Sequence, residues 1–356
     1  RRLEELRGHE ILLKQIISKQ LMFDTGYTRE QVTELLSAML TVAPDRDDEH
    51  QPARHFAKAL RDHLFIMPDI DLDELPSSTP KRFTEIFSDE LKLQQSLQLL
   101  IVMPYLSGKL HDADVERVNH YAHEANLSPG SLQDLNNLVH GRVKKALILY
   151  SRRAAIEFTP GSPIQKLKSI AREIHSLAGD KQRTDIYEQL SKLEAGTFGR
   201  TLYNFYTNRG FKFPGQRGNL GESAVKHDCV HILSGTNTDY AGEIAISAIE
   251  ATMARSEVGW EMVTEVLVDF HLGIAWTLPG GIKAESMNFD PELFSRGLAV
   301  GSNINTDLIH DWNFWDDIET PISTLRKRFN INYVDIIDMP APGKDANAKT
   351  SYWNID

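Results

Sequence analysis

The chain has 356 residues, which is enough for two domains of roughly 100–200 residues each. Its 41% hydrophobic and 25% charged residues exclude wholesale disorder, and its formal net charge of −11 argues against a nucleic-acid partner. The single cysteine, Cys229, excludes an internal disulfide; its position in a helical pattern predicts a small buried hydrophobic residue.

Helical spacing of apolar residues predicts an all-α fold along nearly the whole chain. In its first part we expect helices over residues 9–23, 29–41, 53–65, 88–106, 111–126 and 128–153. Ser88 and Asp112 are predicted to cap the fourth and fifth of these helices, and Ser128 with Pro129 to open the sixth. The Pro- and Asp-rich stretch 66–80 predicts a connection.

The clearest break in the chain is the Pro- and Gly-rich run 158–163. We expect helices at 164–178 and 181–194 after it, and an irregular tail at 340–356. The predicted organisation is therefore an N-terminal helical domain (1–157), connecting helices (164–194), a helical bundle (196–330) and the tail.

No apolar run approaches the ~20 residues that a bilayer-spanning helix needs. The densest run, 97–106, is interrupted by Pro104. Association with a membrane surface remains compatible with the sequence, because a groove or an amphipathic helix needs no long apolar run.

A metal-ligand pattern lies in the second half of the chain. His227 and His231 are four residues apart, so on a helix they share one face and can chelate one cation. Asp228 adds an oxygen ligand or a general base, and Glu243 opens the next helix after eleven intervening residues. Two imidazoles and two carboxylates suit zinc first, with iron, manganese or magnesium as alternatives.

The helix that follows Glu243 is apolar on nearly every side, which predicts burial. A buried carboxylate needs a cation or hydrogen-bond donors, and Glu250, two turns later, is predicted to point toward the same region. The competing interpretation is a fortuitous histidine pair. His271 is predicted to be a hydrogen-bonded core histidine. The run 326–328 is predicted to be a solvated helix end, with a phosphate or lipid-headgroup contact as the alternative.

The pattern His227-Asp228-x-x-His231-x(11)-Glu243 resembles the metal-ligand signature of a ubiquinone-biosynthesis family, coenzyme Q biosynthesis protein 4. The likeness extends over about 196–330, through Gly196-Thr197-Phe198-Gly199-Arg200, Gly242-Glu243-Ile244-Ala245, Arg296-Gly297-x-Ala299, Asp311-Trp312 and Pro321-Ile322-x-x-Leu325-Arg326. Residues 88–153 resemble the TerB-like helical domain of tellurite resistance. The long N-terminal half departs from the ubiquinone family's simpler plan.

The ubiquinone-family resemblance implies an all-helical protein on a membrane face that binds a long isoprenoid tail beside its metal. It implies a role in maturing the ubiquinone head group, as an organiser of other biosynthetic enzymes and in oxidative decarboxylation at ring carbon one. The implied location is the cytoplasmic membrane face in a bacterium, or the matrix face of the inner mitochondrial membrane in a eukaryote. A homodimer is also compatible with it.

An apolar groove for that tail is the second implied site. The residues expected to line it are Phe198, Leu202, Phe205, Tyr206, Ile246 and Ile249. Plain core packing is the competing interpretation of the same residues. Two alternative functions stay open at this point, a non-catalytic lipid-binding scaffold with a structural cation and a metal-dependent hydrolase.

Overall fold

The computed structural model describes residues 23–44, 51–157, 179–217, 222–255, 258–275 and 284–331. Over these ranges the chain forms fourteen α-helices and no β-strand, which confirms the predicted all-α class. The predicted break at 158–163, the helix at 164–178, the tail at 340–356 and nearly all of the helix at 9–23 lie outside the described residues.

Seven of these fourteen helices precede the undescribed stretch at 158–178 and seven follow it. The first seven are α1 (Arg29–Val42), α2 (Pro52–Ala59, continued by a π-helical turn Leu60–Leu64), α3 (Pro80–Ile86), α4 (Glu90–Val102), α5 (Asp112–Glu124), α6 (Gly130–Val139) and α7 (Val143–Glu157). The others are α8 (Lys181–Gln189), α9 (Phe198–Arg209), α10 (Glu222–Ser234), α11 (Tyr240–Met253), α12 (Val258–Phe270), α13 (Pro291–Asn303) and α14 (Ile322–Phe329). None of these helices is both long and apolar enough to cross a membrane.

The single helix predicted at 128–153 is wrong, because the structure has two helices there, α6 and α7. Gly141 separates them in the left-handed region at φ 69°, where its amide donates to the Leu138 carbonyl oxygen. Only a residue without a Cβ enters this region at no cost. The apolar spacing continues across the break, so periodicity alone does not reveal it.

Three predicted helix caps are also wrong. Asp89, not Ser88, caps α4 by accepting a hydrogen bond from the Lys92 amide at 2.9 Å. Asp112 is the first residue of α5, whose N-cap position is occupied by His111. Ser128 does not cap α6, because Pro129 occupies the N-cap position and the helix begins at Gly130. In each case the observed N-cap lies one residue away from the predicted one, which is a common error at helix ends.

Buried apolar side chains form two hydrophobic clusters, and α11 lies between them. The first cluster combines side chains of α1–α7 with one face of α11 and parts of α12 and α13. The second combines α8, α9, α10 and α14 with the other face of α11 and part of α13. Ile244 and Ala248 of α11 belong to the first cluster, and Ile246 and Ile249 to the second. The first cluster therefore draws on both sides of the predicted domain boundary, and the division into two domains stays a prediction.

Glycines allow the neighbouring helices to approach α11 at backbone distance. A Cβ at Gly301 of α13 would lie 2.1 Å from the Ile249 carbonyl oxygen, and one at Gly259 of α12 would lie 2.4 Å from the Glu250 carbonyl oxygen. Both distances are far inside van der Waals contact, so larger residues would force the helices apart. These contacts fix α11, the helix that carries Glu243.

Ionised groups connect α7 to α12. The Arg153 side chain donates to Glu261 at 2.7 Å and also pairs with Asp134 of α6, while the Tyr150 hydroxyl donates to Glu265. Burial raises the pKa of Asp134 to about 7 against the opposing effect of Arg153. Burial likewise raises the pKa of Glu265 to about 7, although its bond with Tyr150 acts in the other direction.

Candidate metal site

Helix α10 presents two histidines on one side and apolar residues on the other. His227 and His231 are one turn apart, and their Nε2 atoms lie 3.1 Å from each other. Cys229 and Leu233, on the buried side, are fully enclosed in the second cluster. The prediction of a small buried hydrophobic residue at Cys229 is confirmed.

A tight turn brings α11 back against the histidines. Gly235 ends α10 at φ 78°, with its amide donating to the His231 carbonyl oxygen at 2.8 Å. Asp239 caps α11 by accepting from the Gly242 amide at 2.7 Å. A Cβ at Gly242 would lie 2.2 Å from the Asn237 carbonyl oxygen, so the turn needs glycine there. Glu243 thereby comes to lie in the first turn of α11, opposite the histidines.

Three of the four predicted ligands converge. Glu243 places Oε2 3.2 Å from Nε2 of His227 and Oε1 3.5 Å from Nε2 of His231. One ligand atom from each of the three residues lies within 4.8 Å of the other two. His231 is fully buried, whereas the His227 side chain retains 20% exposure. The group could therefore hold one ion and is reached from the His227 side.

The remaining ring nitrogen of each histidine faces an acceptor. Nδ1 of His227 lies 2.9 Å from Oε1 of Glu250, as the prediction for Glu250 requires. Nδ1 of His231 lies 3.3 Å from the carbonyl oxygen and 3.1 Å from the hydroxyl of Thr236. These acceptors favour a proton on each Nδ1, which leaves both Nε2 lone pairs directed toward Glu243. Histidine ligands of metals are held in this way.

The site favours positive charge. Burial opposes the charged form of His227, but Glu250 and Glu243 outweigh this effect and raise its pKa well above the ordinary value. Burial would raise the pKa of Glu243, yet His231 and His227 lower it below the usual range. The second oxygen of Glu250, Oε2, is buried and has no hydrogen-bond partner within the described parts of the chain. Protons on the two imidazoles, or a cation bound between them, would compensate the negative charges of Glu243 and Glu250.

Asp228 faces a different partner. Its carboxylate accepts a hydrogen bond from the Tyr206 hydroxyl. Burial raises the pKa of Asp228, while His227 and Tyr206 act in the opposite direction. Asp228 is not among the three converging ligands of the described residues. Its role as the fourth ligand or the base stays a prediction.

The residues predicted to line a lipid groove are packed side chains of the second cluster. Phe205 is 6% exposed and Tyr206 3%, and the other four are fully buried: Phe198, Leu202, Ile246 and Ile249. The Phe205 ring lies 6.1 Å from the His231 ring, so this apolar cluster adjoins the histidines. A lipid tail would reach these residues only by displacing their neighbours, and the groove stays a prediction.

Two positions outside the ligand pattern have defined contacts. His271 is a hydrogen-bonded core histidine, as predicted, with Nε2 3.1 Å from the Leu106 carbonyl oxygen and Nδ1 accepting from the Phe289 amide. Arg326 was expected in a solvated helix end, but it donates to the Leu233 carbonyl oxygen at 2.8 Å. It thus stabilises the C-terminal end of α10, where a cation is favourable.

Comparison of the chain with protein-family models, with curated proteins and with solved structures found no match. The likenesses to the ubiquinone-biosynthesis family and to the TerB-like domain therefore stay predictions from the sequence. The convergence of His227, His231 and Glu243 carries the functional conclusion.

Proposed function

We propose that this protein binds one divalent transition-metal ion through Nε2 of His227, Nε2 of His231 and the Glu243 carboxylate. The observation that supports the proposal is that these ligand atoms converge while both Nδ1 atoms face acceptors. Two imidazoles and one carboxylate suit zinc first, and iron or manganese bind the same donor set. Magnesium fits less well because it prefers oxygen ligands throughout.

The number of protein ligands favours a catalytic role. Structural zinc sites commonly use four protein ligands, whereas catalytic sites use three and keep one position open to substrate. A cation bound here would supply Lewis-acid polarisation of a substrate oxygen. The exposed edge of His227 gives the direction of approach. Asp228, the next residue of α10, forms with Tyr206 a hydrogen-bonded pair able to accept or donate a proton.

The proposed substrate is an aromatic acid that carries an isoprenoid chain, as the ubiquinone-family resemblance implies. In the implied reaction the ring would lose its carboxyl group as carbon dioxide and gain a hydroxyl group whose oxygen comes from water, while dioxygen accepts the two electrons and leaves as hydrogen peroxide. The apolar side chains of Phe205 and Ile249, in the cluster that adjoins His231, support an apolar substrate portion. Association with a membrane surface and with other biosynthetic enzymes belongs to the same proposal.

Elemental analysis tests the metal. Purified wild-type protein is expected to carry about one equivalent of zinc or a related metal, and the double variant His227→Ala/His231→Ala to carry none. His123→Ala, which removes an exposed histidine from α5, is the matched control and should retain the metal. Circular dichroism verifies folding. Stoichiometric metal in the folded double variant contradicts the assignment.

Two measurements test the substrate. Mass spectrometry of co-purified lipid should detect an isoprenoid quinone or its precursor. Metal-loaded protein with a prenylated hydroxybenzoate and dioxygen should release carbon dioxide. Bound lipid without turnover would favour the scaffold, and cleavage of simple esters without any isoprenoid requirement would favour the hydrolase.

A further inference from the structure

We infer that Glu250 is a positioning residue of this site, which sets the orientation and basicity of His227 without binding the metal itself. The inference rests on the proposed metal site and extends it. Glu250 lies outside the His-Asp-x-x-His-x(11)-Glu pattern, seven residues after Glu243 on the same helix.

The His227 ring is held between two carboxylates of α11. Glu243 and Glu250 are two helical turns apart, so their side chains leave α11 on the same face. The ring spans the gap, with Nε2 3.2 Å from Glu243 and Nδ1 2.9 Å from Glu250. Rotation of the ring would break both contacts. The imidazole of α10 therefore has one orientation relative to α11, with Nε2 facing His231 and Glu243.

Glu250 is enclosed in the interior of the protein. Its side chain is 3% exposed, and its backbone is enclosed because Gly259 of α12 packs directly against its carbonyl oxygen. Its Oε2 atom is buried and has no hydrogen-bond partner among the residues that the structure describes. A buried carboxylate with one hydrogen-bond partner destabilises the folded state. Positive charge on the His227 ring, or on a cation bound to its other nitrogen, offsets this cost.

The carboxylate has two effects on His227 as a ligand. It accepts the Nδ1 proton, so the ring presents an electron pair at Nε2, and its charge strengthens donation from that atom. His231 lacks this feature, since its Nδ1 faces the neutral carbonyl and hydroxyl oxygens of Thr236. The two histidine ligands are therefore unequal, and loss of Glu250 should weaken His227 selectively.

The test compares Glu250→Gln and Glu250→Ala with wild type in the full chain. Zinc affinity is measured by competition with a chromophoric chelator, and ligand geometry from the absorption spectrum of cobalt-substituted protein. We expect zinc to bind roughly 10–100-fold more weakly to Glu250→Ala than to wild type, and to bind more weakly to Glu250→Gln as well, by a smaller factor. The matched control Glu292→Gln removes a carboxylate from α13 that pairs with His63, and should change affinity by less than about threefold.

Nitrogen NMR of the zinc-loaded wild-type protein separates positioning from a structural role. Zinc bound at Nε2 of His227, with a proton on Nδ1, supports the inference. Zinc bound at Nδ1 overturns it, even where the Glu250 variants fail to fold. Unchanged zinc affinity in folded Glu250 variants overturns the inference and leaves the metal site standing, whereas a wild-type protein that binds no zinc overturns both.

Discussion

The contact between α13 and α11 gives the most direct test of how the site is supported. In Gly301→Ala, the new Cβ would lie 2.1 Å from the Ile249 carbonyl oxygen and 2.2 Å from Oγ1 of Thr252. Ordinary contact begins near 3.4 Å. The Thr252 hydroxyl can rotate, but the Ile249 oxygen belongs to the backbone of α11. The two helices must therefore move apart locally by roughly 1 Å.

The expected magnitude follows from two opposing effects. Overpacking of this kind costs about 1–3 kcal/mol, whereas alanine in place of glycine within a helix stabilises by up to about 1 kcal/mol. Because the clash involves backbone, the steric cost should dominate. We expect Gly301→Ala to lower the free energy of unfolding by about 1–2 kcal/mol. Displacement of α11 also moves Glu243, so zinc affinity should fall in the same variant.

Urea unfolding followed by circular dichroism measures this loss by linear extrapolation. Ser302→Ala, at the next position of α13, is the control, and we expect it to change stability by less than about 0.5 kcal/mol. Gly297→Ala should be intermediate, since its Cβ would lie 2.6 Å from the Ala245 carbonyl oxygen. A Gly301→Ala protein as stable as wild type would refute the close packing of α11 and α13.

Three further predictions concern the metal, pH and the cysteine. Zinc at a free concentration 100 times its dissociation constant should stabilise the wild type by about 2.7 kcal/mol in thermal unfolding; a similar increase in His227→Ala would contradict the site. Asp134 and Glu265 have pKa values raised to about 7, so the folded state binds more protons than the unfolded state between about pH 4 and 7. Stability should therefore decrease as pH rises through that window, and unfolding measured across it in Asp134→Asn should show a shallower decrease; an unchanged slope would contradict the assignment. Cys229 is fully buried, so a thiol reagent should react with it at a rate limited by opening of the protein; rapid stoichiometric reaction in native buffer would show that α10 is exposed.

The ligand triad was predictable because its geometry is mostly local. Two residues four apart share a helix face whatever the fold, and the turn from Gly235 to Asp239 carries its own signals, a glycine at positive φ and a capping aspartate. The all-α class follows from periodicity in the same way. Thr236 was missed although it follows Gly235 directly, because a hydroxyl in a turn carries no sequence signal of a histidine partner.

The contacts that the sequence did not predict are those between distant segments. Arg326 binds the end of α10 across more than ninety residues of chain, and its charged neighbours give the pattern of a solvated helix end. Asp228 and Tyr206 form a hydrogen bond that no spacing rule links. Tertiary packing decides each of these cases, and a local pattern does not contain that information.

The position of α11 gives the N-terminal helices a physical relation to the metal site. Their side chains pack with Ile244 and Ala248, on the face of α11 that belongs to the first cluster, and α12 joins the same cluster. The second cluster covers the opposite face of α11, so side chains of both clusters hold the helix that carries Glu243 and Glu250. Arg153 strengthens the arrangement by tying α7 to Glu261 of α12. Substitutions in the N-terminal half should therefore alter metal affinity by shifting α11, without any N-terminal residue contacting the ion.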